Sequence, residues 1–353
     1  MRQKTTQKLP APETGIKEMQ NYLNSVYNSS GLPETMGVLH DWEFRSGYIN
    51  KEKYESNPRF KYIDPDTGTT YRAQVNIARS RYSPKPVPAA QKKNIHCPIC
   101  IENAGIAGKE TLRVFRFDLN GRGREFFLQL TPFPLFRHHF VLINMEKVPQ
   151  KIDKTTLSDM FDFLDKAPTY TVCSNSDVEW AGASILSHMH YQVFDKLELP
   201  VMEAPIKPGY TKTEGTFFAN LLDYPIAVIR CLSPYRTESE NKTWGIIDKW
   251  KNLSPGKNTV NLTLRKIKNK FETHVILRNP DFRTPKELTG IKSEGVGIIE
   301  VSGEGIYPLP EGPEAEEKWD YIKNRGLELM KGIINGNNPV KKKQLEIIEK
   351  LLN

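Results

Sequence analysis

The segment Gly182-Ala-Ser-Ile-Leu-Ser-His188-Met-His190-Tyr-Gln192 sets two histidines and a glutamine on alternate residues, inside a run rich in aromatic and aliphatic side chains. In a β-strand, successive side chains point to opposite faces. Read as a β-strand, the pattern places His188, His190 and Gln192 on one face. Met189, Tyr191 and Val193 would then face the other way. The small residues Gly182, Ala183 and Ser184 just upstream would let a ligand approach the backbone closely.

The rest of the chain supplies the surroundings such a strand needs. Strand-like runs are predicted at 112–119, 125–130 and 139–144, with Gly121-Arg-Gly123 as a hairpin loop between the first two. Lys154 to Lys166 has helical periodicity, with Leu157, Met160, Phe161 and Leu164 on one side and Asp153 as the N-cap. A strand at 170–173 follows, and a polar loop then carries Asn175. From about Leu197 the pattern restarts: strands at 224–232, 259–267, 271–278 and 295–301, and helices at 240–251, 314–334 and 340–352. Clustered strands with helices between clusters indicate an α+β fold with antiparallel sheet. The similar order of elements suggests two related halves, 1–196 and 197–353, although no residue-level repeat is visible.

Composition narrows the function classes. With 353 residues and a formal net charge of +8, the chain can bury a large core and suits anionic ligands such as nucleotides or sugar phosphates. The charge is dispersed, which argues against nucleic acid. Lys341-Lys-Lys343 reads as a solvated helix face. No apolar run of about 18 residues predicts a membrane span, and the polar N-terminus does not read as a secretory signal. A cytoplasmic location is expected. Four cysteines are too few for a disulfide scaffold. Two of them form Cys97-Pro-Ile-Cys100, half of a tetrahedral zinc site, a reduced metal-free pair, or, without matching strand–helix context, a redox pair.

His-x-His on its own fits metal ligands, a catalytic nucleophile or ordinary partly buried imidazoles. The flanking residues add chemistry. Gln192 cannot titrate but can donate to a phosphoryl oxygen, and Asn175 and Ser184 offer further donors. A neutral histidine can attack phosphorus and split one displacement into two, with donors stabilising charge on the transferring group.

The stretch Asn175–Gln192 resembles the active-site segment of galactose-1-phosphate uridylyltransferases, members of the histidine-triad superfamily. It is most similar to the bacterial class II branch, where Gly-Gly-Ser-Ile-Leu-Ser-His-Asp-His-Phe-Gln is typical. Cys97-Pro-Ile-Cys-Ile-Glu-Asn-Ala-Gly-Ile-Ala-Gly108 resembles that branch's C-x-x-C-x-E-N-x-G-x-A-G. Met202-Glu-Ala-Pro205, Tyr224–Arg230, Val275–Asn279 and Val296–Val301 also have counterparts in order, so the resemblance spans roughly 95–310. Asn76-x-x-Arg79 is similar to a nucleotide-contacting stretch of related phosphorylase-like families.

The resemblance implies antiparallel sheets of histidine-triad type. It also implies a ping-pong reaction in which His190 takes UMP from UDP-glucose and passes it to galactose 1-phosphate. Gln192 and Ser184 would hold phosphoryl oxygens. Asn175, Asn76 and Arg79 would contact nucleotide or phosphate, and Lys292 and Glu300 fall in the sugar-binding region. A structural zinc would be held by Cys97, Cys100, His188 and His139 or its neighbour His138. Nucleotide-sugar and sugar-phosphate substrates are the implied partners, and relatives leave a homodimer open. Met189 replaces the acidic residue usual between the histidines, Val193-Phe194 replaces a small Gly-Gly, and the chain is shorter than typical members. A GDP-hexose-type phosphorylase, a diadenosine-polyphosphate phosphorylase and a zinc-stabilised nucleotide-binding protein without turnover therefore stand as alternatives.

Overall fold

The computed structural model describes residues 9–80, 97–183, 185–292 and 295–353. Ser184 lies outside the described residues. The architecture is α+β and rests on one ten-stranded antiparallel sheet. Its strands are β3 (Phe115–Asp118), β4 (Glu125–Leu130), β5 (Phe140–Asn144), β6 (Tyr170–Ser174), β7 (His190–Asp195), β8 (Ile206–Glu214), β9 (Phe217–Leu222), β10 (Val228–Ser233), β11 (Thr259–Ile267) and β12 (Lys270–Arg278). The spatial order is β3-β4-β5-β7-β6-β11-β12-β10-β9-β8. A three-stranded sheet joins β1 (Arg59–Ile63), β2 (Thr70–Val75) and β13 (Glu304–Tyr307), with β13 parallel to β2.

The strand order contains a duplication. The run β3-β4-β5, helix Lys154–Lys166, β6-β7 is repeated as β8-β9-β10, helix Arg236–Leu253, β11-β12. In space each half has its fourth and fifth strands exchanged. The two fourth strands, β6 and β11, pair antiparallel at the centre, from Leu262↔Ser174 to Arg265↔Thr171. The two related halves expected from element order are thus present in topology although no sequence repeat betrays them. The small sheet crosses the expected boundary, because β2 borrows β13 from near the far end of the chain.

One face of the large sheet is covered by helices. Leu157, Met160, Phe161 and Leu164 of Lys154–Lys166, with Ile246, Ile247 and Trp250 of Arg236–Leu253, pack on Val172, Val193, Leu262 and Val275. Asp153 caps the first helix as its sequence predicts, accepting from Thr156 N at 3.2 Å. Helices Ile16–Ser30 and Leu32–Arg45 add Leu23, Leu39 and Trp42 to this layer. The edge strand β3 is met by Gln20, whose amide accepts from Arg116 N at 2.9 Å and donates to Arg116 O at 3.1 Å. At the opposite edge β8 carries Lys207, Pro208, Gly209 and Lys212, and its register with β9 is irregular between Ile206 and Thr211. Among the described residues no helix is long and apolar enough to cross a membrane.

Several boundaries differ from expectation. Residues 295–301 form no strand: Ile298–Val301 is a helical turn. Its first amides are taken by Glu300 Oε2 (from Gly297 N, 3.0 Å) and by Asn175 Oδ1 (from Ile298 N, 3.1 Å), a long-range cap that local pattern cannot reveal. The strand expected to carry His188, His190 and Gln192 begins only at His190. The helix expected over 314–334 breaks into Ala315–Asn324 and Gly326–Gly336. A Cβ at Gly326 would fall 2.0 Å from Tyr62, so the break sits where the helices meet β1.

Candidate active site and metal centre

β7 lies between β5 and β6, and its uncovered face opens on a cavity of about 760 Å³. His190 and Gln192 point into it; Tyr191 and Val193 join the core beneath. Tyr191 pins the strand from behind. Its hydroxyl donates to Asp159 Oδ2 at 3.0 Å, and Arg124 grips the same buried carboxylate through Nε (2.5 Å) and Nη2 (2.7 Å). The alternation read from the sequence therefore holds for residues 190–193.

His190 is 4 % exposed, and its backbone N–H donates to Gln150 Oε1 at 3.0 Å. Its ring Nδ1 lies 2.7 Å from the carbonyl oxygen of His188. A carbonyl can only accept, so Nδ1 carries the proton and Nε2 keeps a lone pair. Burial pulls the His190 pKa below its ordinary value, with His188 adding to the effect and the bond to the carbonyl opposing it. The ring is thus a neutral imidazole of fixed tautomer on the cavity wall.

His188 precedes the strand and does not share that face. Its Nδ1 lies 3.1 Å from Cys97 Sγ and 3.6 Å from Cys100 Sγ. Its Nε2 donates to Asn144 O at 2.8 Å, which leaves Nδ1 bare toward the two sulfurs. The three donor atoms lie within 4.8 Å of one another, and all three residues are buried. Asn103 shapes the cysteine loop by donating Nδ2 to Cys97 O (3.0 Å) and Cys100 O (2.9 Å). Burial pushes the Cys100 thiol up to about 12, with Cys97 beside it adding to the rise. A divalent cation beside the sulfurs would favour the thiolate form. Two sulfurs and one imidazole nitrogen, already oriented by a carbonyl, suit such an ion.

His139 is not part of that cluster, contrary to the four-ligand set expected from the sequence. Both its ring nitrogens are engaged elsewhere. Nδ1 accepts from Leu135 N at 3.2 Å, and Nε2 donates to Gln192 Oε1 at 3.1 Å. Its neighbour His138 is also turned away, with Nδ1 3.1 Å from the Tyr170 hydroxyl and its ring tilted against His40, centroids 4.4 Å apart. Among the described residues, the gathered ligands are Cys97, Cys100 and His188.

The cavity collects most of the other expected residues. Asn76, Arg79, Asn175 and Glu300 line it, along with Lys109, Gln129 and Thr131, which the sequence did not single out. Asn76 Oδ1 accepts from Arg79 N at 3.1 Å and so turns the chain out of β2. Lys292 is set behind the wall: it is 2 % exposed, with Nζ 2.9 Å from Glu300 Oε1, an internal ion pair rather than a cavity cation. Gln150 and Asn103 were also missed. Each acts on a backbone group distant in sequence or within an irregular loop, and neither leaves a periodic signal.

Comparison with known proteins adds to this geometry. Residues 40–195 match a family model described as a domain of unknown function, DUF4922. Over 90 % of its length the chain is 27 % identical to the galactose-1-phosphate uridylyltransferase of Clostridium acetobutylicum, spanning 68 % of that protein. Over 95 % of its length it is 27 % identical to the enzyme of that name from Caldanaerobacter subterraneus, spanning 70 % of it. The crystal structure of yeast Ap4A phosphorylase in complex with AMP has the same fold, with a TM-score of 0.58 at 16 % identity, covering 88 % of this chain and 97 % of that one. The resemblance first carried by short motifs therefore extends along most of the chain.

Proposed function

We propose that this protein is a nucleotidyltransferase that moves UMP from UDP-glucose to galactose 1-phosphate through a uridylyl-histidine at His190. The observation that carries the reading is the Nδ1–H bond of His190 to the His188 carbonyl at 2.7 Å, which leaves Nε2 unprotonated on the cavity wall. The named relatives act on this chemistry, and the net charge of +8 suits its anionic substrates.

The steps follow from the atoms. Nε2 attacks the α-phosphorus of UDP-glucose, the P–O bond to glucose 1-phosphate breaks, and a P–N bond forms. The positive charge that develops on the ring is held by the Nδ1–H bond to the carbonyl. A phosphate oxygen of galactose 1-phosphate then attacks phosphorus and expels His190. Gln192, its oxygen occupied by His139, presents its NH₂ to a non-bridging oxygen of the transferring group. Asn76, Arg79 and Asn175 contact nucleotide or phosphate, and Glu300 reaches the sugar.

Cys97, Cys100 and His188 would supply three of the four positions of a tetrahedral zinc in this reading. These three residues would, with the ion bound, join the cysteine loop to the residue whose carbonyl orients His190, the ion's charge offsetting that of the sulfurs.

The test is direct. The protein is incubated with UDP-glucose, GDP-glucose or GDP-mannose without acceptor, and nucleotidylated protein and released sugar phosphate are measured. UDP-glucose should label His190, galactose 1-phosphate should discharge the label, and His190→Ala should remain unlabelled while still binding UDP-glucose. Discharge by inorganic phosphate alone would make the protein a phosphorylase. Absence of labelling with every donor would make it a binding protein.

A further inference from the structure

Arg278 closes β12, the strand that stands in the second half where β7 stands in the first. It is 1 % exposed, and a guanidinium at that depth needs partners. Nη1 donates to Asn261 Oδ1 at 2.6 Å and to Val296 O at 3.1 Å. Nη2 donates to Val296 O at 3.2 Å and to Asn337 Oδ1 at 2.9 Å.

Two of these partners lead to the catalytic cavity from opposite sides. Asn261 continues through Nδ2 to Gly182 O, 3.4 Å away, in the loop that runs into the catalytic strand. Val296 sits between Gly295 and Gly297, which line the cavity. Gly182 lies against the guanidinium with φ +90°, and a Cβ there would stand 2.5 Å from Arg278 Nη1 and 2.6 Å from Asn261 Oδ1. Only glycine fits, for sterics and for backbone conformation together. The two segments also meet each other, since Ile298 N donates to Asn175 Oδ1 at 3.1 Å, and the first closes on itself through Ser176 N to Gly182 O at 3.4 Å.

We propose that Arg278 is a positioning residue: its planar fork, reaching Asn261, Val296 and Asn337 at once, fixes segments 175–183 and 295–298 as the two walls that receive the transferring phosphoryl group. The half of the fold whose equivalent strand bears no nucleophile thus supplies the clamp for the half that does. The catalytic part of this inference rests on the nucleotidyl transfer proposed above. A lysine cannot replace the fork, because three donors on one point charge do not span three separated acceptors.

The experiment compares Arg278→Lys and Gly182→Ala with wild type in the full chain. It follows amide hydrogen exchange, the rate of labelling by UDP-glucose, and the dissociation constant for UDP-glucose. Both variants should lose exchange protection in 176–183 and 295–298 while β4 and β5 keep theirs. Labelling should slow by about 100-fold, the scale of a misplacement near 1 Å, with a much smaller change in donor binding. Methylguanidinium should restore part of the labelling rate to Arg278→Ala. Unchanged protection in both segments, or loss spread evenly over the whole sheet, would overturn the clamp. If wild type is not labelled by UDP-glucose, the transferase reading falls, and the exchange comparison still decides on Arg278. Gly182→Ala keeps the test standing if Arg278→Lys does not fold.

Discussion

His139 Nε2 lies 3.1 Å from Gln192 Oε1, and this contact decides which end of the Gln192 amide faces the cavity. Burial pulls the His139 pKa down to about 3, so the ring stays neutral and keeps a single N–H to give. With its oxygen taken, Gln192 turns its NH₂ outward. His139→Ala is expected to slow nucleotidyl transfer by roughly 10- to 100-fold, the equivalent of one hydrogen bond to a charged oxygen. Bound metal per chain should not change, because His139 is not among the gathered ligands. A matched rate assay and metal analysis check both halves of the expectation.

The candidate metal ligands and the proposed nucleophile meet at one residue. His188 turns its ring to Cys97 and Cys100 and its carbonyl to His190. Cys97→Ser should therefore lower metal content and thermal stability, and should also slow labelling of His190 by about 10- to 100-fold, the cost typical of disturbing an outer-shell orienting contact. Titration with a chelator, followed by melting temperature and labelling rate, should give the same pair of effects in wild type.

Acid should unfold the protein through buried histidines. His274 is fully buried, its Nδ1 3.0 Å from Thr263 Oγ1, and burial pulls its pKa down to about 4 despite Glu272 nearby. The unfolded chain takes this proton near the ordinary value of about 6.5. Stability from the neutral ring is therefore complete above pH 6.5, falls as pH drops toward 4, and is flat below that. The loss by pH 4.5 should be about 2 kcal/mol. Denaturant titrations at pH 7 and 4.5 should show that much less acid destabilisation in His274→Gln than in wild type.

The support behind the strand that carries His190 should be separable from the proposed chemistry. Asp159 is 1 % exposed and receives Arg124 and Tyr191 together. Arg124→Met leaves that carboxylate unpaired and should cost about 3–5 kcal/mol. Tyr191→Phe removes one hydrogen bond to it and should cost about 1.5–3 kcal/mol. Equilibrium unfolding by urea measures both.

The sequence revealed elements whose periodicity is local. The helix over 154–166 and the strands over 125–130 and 259–267 lie where their patterns predict. His190 and Gln192 were legible for the same reason, since period-two alternation places them together on one strand face. His139 was misread because its partner, Gln192, is 53 residues away and a second histidine adjoins it. The turn at 298–301 was read as a strand because its apolar run looks extended, while the Asn175 cap that makes it helical is 123 residues distant. The duplication was faint because it survives in strand order and helix placement, which the halves share without sharing residues.

Antiparallel pairing could in principle continue past either end of the ten strands, turning one molecule into the seed of a stack. The two ends prevent this by different means. At β3 the Gln20 side chain imitates the peptide group of a neighbouring strand, offering one donor and one acceptor to Arg116 and filling the place a foreign strand would take. At β8 a proline removes a donor, two lysines add charge, and a shifted register spoils the straight line a second strand would need. Both edges thus disfavour growth of the sheet, by an amide borrowed from a helix on one side and by irregularity on the other.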